Sequence, residues 1–136
     1  MATPAATAVL PDDILTAIFE LARQEAGKDR LRFRGHDEDL QRIFWELSKQ
    51  EKYDLLRHFA FSTYGPRPYS PLLSDSVSKL QLAGLLGREN PQYEVLFTTA
   101  PARDFFDSVL SKKFSPDQLN QLKEIAKHFA IMAPPV

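Results

Sequence analysis

The spacing of apolar residues predicts six helices along the chain. In the first, Ile14, Ile18 and Leu21 fall on one side, and Gly27 marks its end. The second opens on three acidic residues, which favour a helix N-terminus, and then carries an apolar stripe of its own. The predicted helices begin near residues 12, 37, 49, 71, 101 and 116.

Short side-chain signals mark two of these starts. Ser115, followed by Pro116 and by Gln118, has the spacing of a capping box and predicts the start of the last helix. Ser48 and Glu51 share that spacing, which indicates either a kink or a new start, and the third helix predicted here ends near residue 60. The residues assigned to the core from helices two to six are Leu40, Ile43, Phe44, Leu47, Tyr53, Leu55, Leu56, Phe59, Leu73, Val77, Leu80, Phe105, Phe106, Val109, Leu110, Leu119, Leu122, Ile125, Ala126 and Phe129.

Two segments have the pattern of β structure. Apolar runs at 85–88 and 93–97, joined by residues 89–92, predict a hairpin, whereas residues 28–35 alternate in period two and form either a short strand or an extended basic connector. The order of helices, a capped helix at 71–83, a hairpin and further helices is that of a winged helix. We therefore predict a mainly α, winged-helix-like single domain with a small β-hairpin over residues 11–132, between flexible tails at 1–10 and 133–136.

The sequence YGPRPYS at residues 64–70, called the YGPRPYS loop below, opens a family-like stretch. Residues 61–86 and 93–106 resemble the Panacea antitoxin domain and its relatives, which include bacterial SocA-type proteolytic adaptors. That resemblance implies a winged-helix-like fold and an antitoxin-like or adaptor role. Arg67 and Pro68 lengthen the family's Gly-Pro-aromatic-Ser run, and residues 99–101 replace its glycine after the strand. The matching positions are Leu40, Gln41, Arg42, Ile43, Tyr64, Gly65, Pro66, Tyr69, Ser70, Leu73, Leu80, Gly84, Leu85 and residues 96–98.

Composition narrows the classes of partner. The 17 basic and 18 acidic residues nearly balance, so the chain has no overall field that attracts nucleic acid or an anionic membrane. It contains no cysteine, which excludes disulfides and thiolate chemistry. The N-terminal residues have no signal-peptide pattern, and no apolar run approaches the roughly 20 residues of a membrane span. We expect a cytoplasmic protein without a membrane partner.

A DNA-binding regulator, acting as a homodimer, is the alternative hypothesis. The helix at 71–83 would occupy the recognition position, and alternation would place three arginines on one side of the segment at 28–35. The competing interpretation pairs these arginines with the acids of residues 37–39 and of the first helix. The residues that DNA binding would use are Ser74, Ser78, Lys79, Gln81, Arg30, Arg32 and Arg34.

Catalysis finds little support in the sequence. None of His36, His58 and His128 has a second histidine at metal-ligand spacing, and no nucleophile motif or phosphate-binding glycine loop occurs. We therefore expect no enzyme activity, no metal and no cofactor.

Protein binding is the leading hypothesis. Tyrosine, arginine and tryptophan are enriched at protein interfaces, and the YGPRPYS loop presents Tyr64, Arg67 and Tyr69, with Trp45 at the edge of the second helix. The sequence thus predicts a bacterial or phage regulatory or adaptor protein that binds another protein, such as a toxin or a component of a protease system.

Overall fold

A computed structural model of the chain describes residues 9–90 and 95–133. The first helix, α1 (Pro11–Ala26), begins with a proline and two acidic residues, and it ends at Gly27, which has a φ of 66°. That left-handed conformation suits glycine and lets its N–H reach the carbonyl of Gln24. The first helix is confirmed. Residues 13–22 are all buried, so α1 is covered on every side and forms the centre of the fold.

The second helix, α2 (Asp37–Ser48), buries its predicted apolar stripe. The prediction of a third α-helix is wrong. The Ser48 hydroxyl donates to the Trp45 carbonyl at 2.7 Å and therefore caps no new helix. Only a 3₁₀ helix forms, Asp54–His58, and Gln121 Oε1 accepts its Leu55 N–H at 2.8 Å. Because the last helix holds this segment in place, a short turn is enough to bury the apolar residues predicted here, Tyr53, Leu55, Leu56 and Phe59.

The helix α3 (Pro71–Leu82) begins where predicted and ends one residue before the predicted end at 83. The Ser70 hydroxyl accepts the N–H of Leu73 at 3.2 Å, and Gly84, at a φ of 77°, follows the last turn. Its apolar stripe of Leu73, Val77 and Leu80 is buried, as predicted.

Three short strands form one antiparallel sheet in the order β1-β3-β2: β1 (Arg32–Arg34), β2 (Leu86–Asn90) and β3 (Val95–Thr98). The predicted hairpin of β2 and β3 is confirmed, but residues 89 and 90, predicted as part of the turn, belong to β2. The predicted turn positions 91 and 92 and strand positions 93 and 94 lie outside the described residues. The segment at 28–35 contains a strand, since β1 pairs with β3 and turns Phe33 into the core. The sheet therefore joins residues near the start of the chain to the hairpin of β2 and β3, which is called the wing below.

The predicted fifth helix is interrupted. It consists of α4 (Ala100–Phe105), a π-helical turn (Phe106–Leu110) and α5 (Ser111–Lys113). The Ser111 N–H reaches the carbonyl of Phe106, five residues back, and this wider turn shifts which side chains face inward. Phe106 and Leu110 are buried as predicted, whereas Val109 is 44% exposed and its predicted burial is wrong. Phe105 is half-buried.

The last helix, α6 (Pro116–Met132), starts with the predicted capping box. Ser115 Oγ accepts the Gln118 N–H at 3.1 Å, and Gln118 Oε1 accepts the Ser115 N–H at 2.9 Å. The helix packs along α1. Phe129 lies at the centre of the core, with its ring centroid 5.2 to 5.6 Å from those of Phe19, Phe33 and Phe44. Of the other predicted core positions Leu122, Ile125 and Ala126 are buried, and Leu119 is half-buried.

The order α1, β1, α2, α3, β2, β3 and the central position of β3 are those of a winged helix, so the predicted winged-helix-like, mainly helical fold is confirmed. Residues 1–8 and 134–136 of the two predicted tails lie outside the described residues, and Val9 and Ala133 pack partly against the core. Within the described part of the chain, no helix is both long and apolar enough to cross a membrane.

Candidate partner-binding site

The YGPRPYS loop is closed at its base by a two-residue β-bridge. Ser62 lies two residues before the loop, and its backbone exchanges hydrogen bonds of 2.8 and 2.9 Å with that of Tyr69. This bridge brings the two ends of the loop close together. Pro66 and Pro68 each fix one backbone dihedral between those ends. The loop is therefore a defined projection between the 3₁₀ helix and α3.

Gln41 of α2 fastens this loop to the helix. Its Nε2 donates to the Ser70 carbonyl at 2.9 Å, and its Oε1 accepts the Ser70 N–H at 2.8 Å, both in a buried setting. The same Nε2 donates to Ser74 Oγ at 2.9 Å. Since the Ser70 hydroxyl caps α3, the loop, α2 and α3 meet at this one serine. In the sequence, Gln41 stands out only within the family resemblance, because its partners lie about thirty residues away.

A cleft of about 920 Å³ separates α2 from the YGPRPYS loop. Residues 36–39, 41, 42, 45 and 46 line its helix side, and residues 65–69 line its loop side. The structure thus brings together three of the four predicted partner-binding residues, Trp45, Arg67 and Tyr69. The fourth, Tyr64, is fully exposed on the loop and is not part of the lining.

Four acidic and two basic side chains line the cleft, and most of them form ion pairs. Arg67 pairs with Glu38 and so joins the loop to the first turn of α2. Arg42 and Asp39 lie 3.6 Å apart, and Glu46 lies 3.5 Å from Lys49, outside the lining. These groups are substantially exposed, so each pair contributes little to stability.

Two further contacts complete the electrostatics of the cleft. The Lys49 ammonium lies 3.7 Å from the centroid of the Trp45 ring, a cation–π contact. Asp37 accepts a hydrogen bond from Ser74 Oγ at 2.5 Å but has no ion-pair partner among the described residues. Asp37 is therefore the one cleft carboxylate that no basic group in residues 9–90 or 95–133 neutralises.

A smaller cleft of about 230 Å³ adjoins the first at Asp37 and Tyr69 and extends along α3. Ser74, Ser78 and Gln81 line it, three of the residues predicted for DNA binding. Ser74 is bonded to Asp37 and Gln41, and Gln81 Oε1 accepts from Arg88 Nε at 3.0 Å. Ser78 and Lys79 are exposed. Beyond them on α3, Leu82 is 89% exposed.

The arginines predicted for DNA binding do not form one cluster, because the sheet gives them different neighbours. Arg32 forms two hydrogen bonds of 2.7 Å with Glu89 of β2, which raise the pKa of Arg32, and the Arg30 guanidinium lies 4.2 Å from the centroid of the Phe97 ring. Arg34 has no ion pair within the described residues. The predicted pairing with the acids of residues 37–39 and the first helix is wrong, because β3 places β1 within reach of the wing.

No group of three or more histidine, aspartate or glutamate side chains among the described residues is arranged to hold a metal ion. The fold and the cleft together define a winged-helix-like protein with a groove beside the recognition-helix position. Comparisons of the chain with protein-family models, with curated proteins and with solved structures gave no match. The resemblance to the Panacea domain accordingly stays an expectation.

Proposed function

We propose that this chain is a non-enzymatic regulatory or adaptor protein of the bacterial or phage cytoplasm, and that it binds another protein in the cleft beside the YGPRPYS loop. The cleft is the observation that supports this proposal. Trp45, Arg67 and Tyr69, chosen from sequence as interface residue types, line one concave surface together. By resemblance, the partner would be a toxin or a component of a protease system.

The geometry of the loop supports binding with little rearrangement. The bridge between Ser62 and Tyr69 and the clamp by Gln41 fix both ends of the loop before a partner arrives. A surface that is ordered in advance loses less conformational entropy on binding. Tyr64, exposed beyond the cleft, would extend the contact area.

Affinity capture with matched variants tests this function. The tagged full chain, expressed in its native host, is purified from nuclease-treated lysate as wild type, as Arg67→Ala/Tyr69→Ala and as Ile131→Ala, which changes an exposed residue of α6. We expect a stoichiometric protein that copurifies with the wild type and Ile131→Ala and is lost from the double variant. Retention of that protein at unchanged affinity by a double variant with native circular dichroism would refute the site.

DNA binding by a homodimer is the second candidate, favoured by the strand order and by the position of α3. Against it, Arg32 and Gln81 are already engaged within the chain, and the exposed Leu82 suits a protein contact better than a phosphate. Fluorescence anisotropy with labelled duplex DNA at low salt decides between them. Binding that weakens in Lys79→Ala would favour this candidate, and the absence of binding even at low salt would eliminate it.

A further inference from the structure

We propose that the protein segment that enters the cleft is extended and carries a lysine or arginine that pairs with Asp37. This inference rests on the proposed function and adds the chemistry of the partner. It follows from three properties of the cleft: its charge, its unused backbone groups and the spacing of residues along α2.

The charge of the lining calls for a cationic partner. Acidic side chains outnumber basic ones in the cleft, and both basic residues already pair with acidic neighbours, Arg67 with Glu38 and Arg42 with Asp39. Asp37 lacks such a partner among the described residues and uses only one acceptor position, for Ser74. A carboxylate accepts several hydrogen bonds, so an incoming ammonium or guanidinium can bind without displacing Ser74.

The loop side of the cleft favours an extended segment over a helix. Within the described residues, no hydrogen bond engages the backbone N–H groups of Gly65 and Arg67. A helix satisfies its own backbone groups, whereas an extended segment has free carbonyls that can accept from such donors.

The spacing of residues along α2 predicts the spacing within the partner. Asp37, Gln41 and Trp45 follow each other at intervals of four and all line the cleft, so they share one face of the helix. A rise of about 1.5 Å per residue separates Asp37 from Trp45 by about 12 Å along the axis. An extended chain covers that distance in roughly four residues. The basic residue should therefore stand about four positions from an apolar or aromatic residue that packs against Trp45.

Selection from a displayed library of random 12-residue peptides tests this chemistry on the full chain. We expect wild-type protein to enrich peptides with a basic residue about four positions from an apolar one. Trp45 is the only tryptophan in the chain, so its fluorescence reports binding of the synthesised consensus peptide at the cleft itself. Asp37→Asn removes the charge and keeps an acceptor for Ser74, while Glu51→Gln removes an exposed charge outside the cleft.

The expected affinities form a double-mutant cycle. Asp37→Asn should weaken binding of the consensus peptide about tenfold, as loss of a charge-assisted hydrogen bond does, and Glu51→Gln should leave it unchanged. Replacing the basic residue of the peptide by glutamine should weaken binding to wild type but not further weaken binding to Asp37→Asn.

The results separate a failure of this inference from a failure of the proposed function. Enriched peptides without a basic residue that still change Trp45 fluorescence, and lose binding in Tyr69→Ala, would overturn the cationic partner and leave the proposed function intact. Equal affinity of wild type and Asp37→Asn for a basic consensus peptide would overturn the role of Asp37. If no peptide is enriched over selection on Arg67→Ala/Tyr69→Ala, both the inference and the proposed site fail.

Discussion

The aromatic core around Phe129 and the cleft beside the YGPRPYS loop lie on different faces of α2, and different forces hold them. On the core side, α2 contributes Phe44, whose ring lies 5.6 Å from that of Phe129, and the surrounding side chains are mostly apolar. On the cleft side, a single buried amide, Gln41, and surface ion pairs position the loop. Burial of apolar area dominates stability, whereas exposed ion pairs contribute little. The cleft can therefore change in sequence without loss of the fold.

The largest expected effect comes from the core. Phe129→Ala removes the ring that contacts Phe19, Phe33 and Phe44, and should lower the free energy of unfolding by about 3–5 kcal/mol. Urea denaturation followed by circular dichroism measures this loss. Ile131→Ala, an exposed position on the same helix, should stay within about 0.5 kcal/mol of wild type. Equal losses in the two variants would show that the centre of the core is misassigned.

An intermediate effect on stability is expected at Gln41, which holds the YGPRPYS loop against α2. Gln41→Ala leaves the buried N–H and carbonyl of Ser70 without their Gln41 partners and should cost about 1–3 kcal/mol. Amide hydrogen exchange at Ser70 should accelerate more than exchange in α1, because the loss is local. Gln50→Ala, at an exposed position outside the cleft, is the control. Unchanged protection at Ser70 would mean that Gln41 does not hold the loop.

The smallest effect is expected from a polar atom within the core. The buried Tyr53 hydroxyl lies beside the Lys52–Glu124 ion pair but makes no hydrogen bond of good geometry among the described residues. Burial is the main cause that raises the pKa of Tyr53, so the phenol is neutral at pH 7. Tyr53→Phe removes that unsatisfied group and should change stability by about 1 kcal/mol or less, in the stabilising direction. Thermal unfolding is the measurement, with Tyr64→Phe as the exposed control. A clear loss of stability in Tyr53→Phe alone would reveal a partner for the hydroxyl.

Features encoded by neighbouring residues were predictable from the sequence. Ser70 and Ser115 cap the helices that follow them, and Gly27 and Gly84 end helices, because each acts within a few residues of its own position. The buried stripes of α2 and α3 followed from periodicity for the same reason.

Features that depend on distant contacts were not predictable. The 3₁₀ helix donates a hydrogen bond from the Leu55 N–H to Gln121, 66 residues away, and Arg32 pairs with Glu89, 57 residues away. Residue types predicted the components of the cleft, but its formation depends on Gln41 reaching Ser70 across 29 positions. No local pattern encodes contacts over such distances. The sequence therefore predicted side chains that line the cleft, but it did not predict where the cleft forms.

The position of Ser70 has a mechanical consequence. Its backbone is held by Gln41 while its hydroxyl caps α3, so one residue ends the loop and starts the helix. A partner that pulled the loop away from α2 would break the bonds to Gln41 and release the cap. The first turn of α3 would then fray. A ligand that forced the loop open would thereby loosen the outer surface of α3, whereas a partner that enters the cleft as it stands would leave α3 capped.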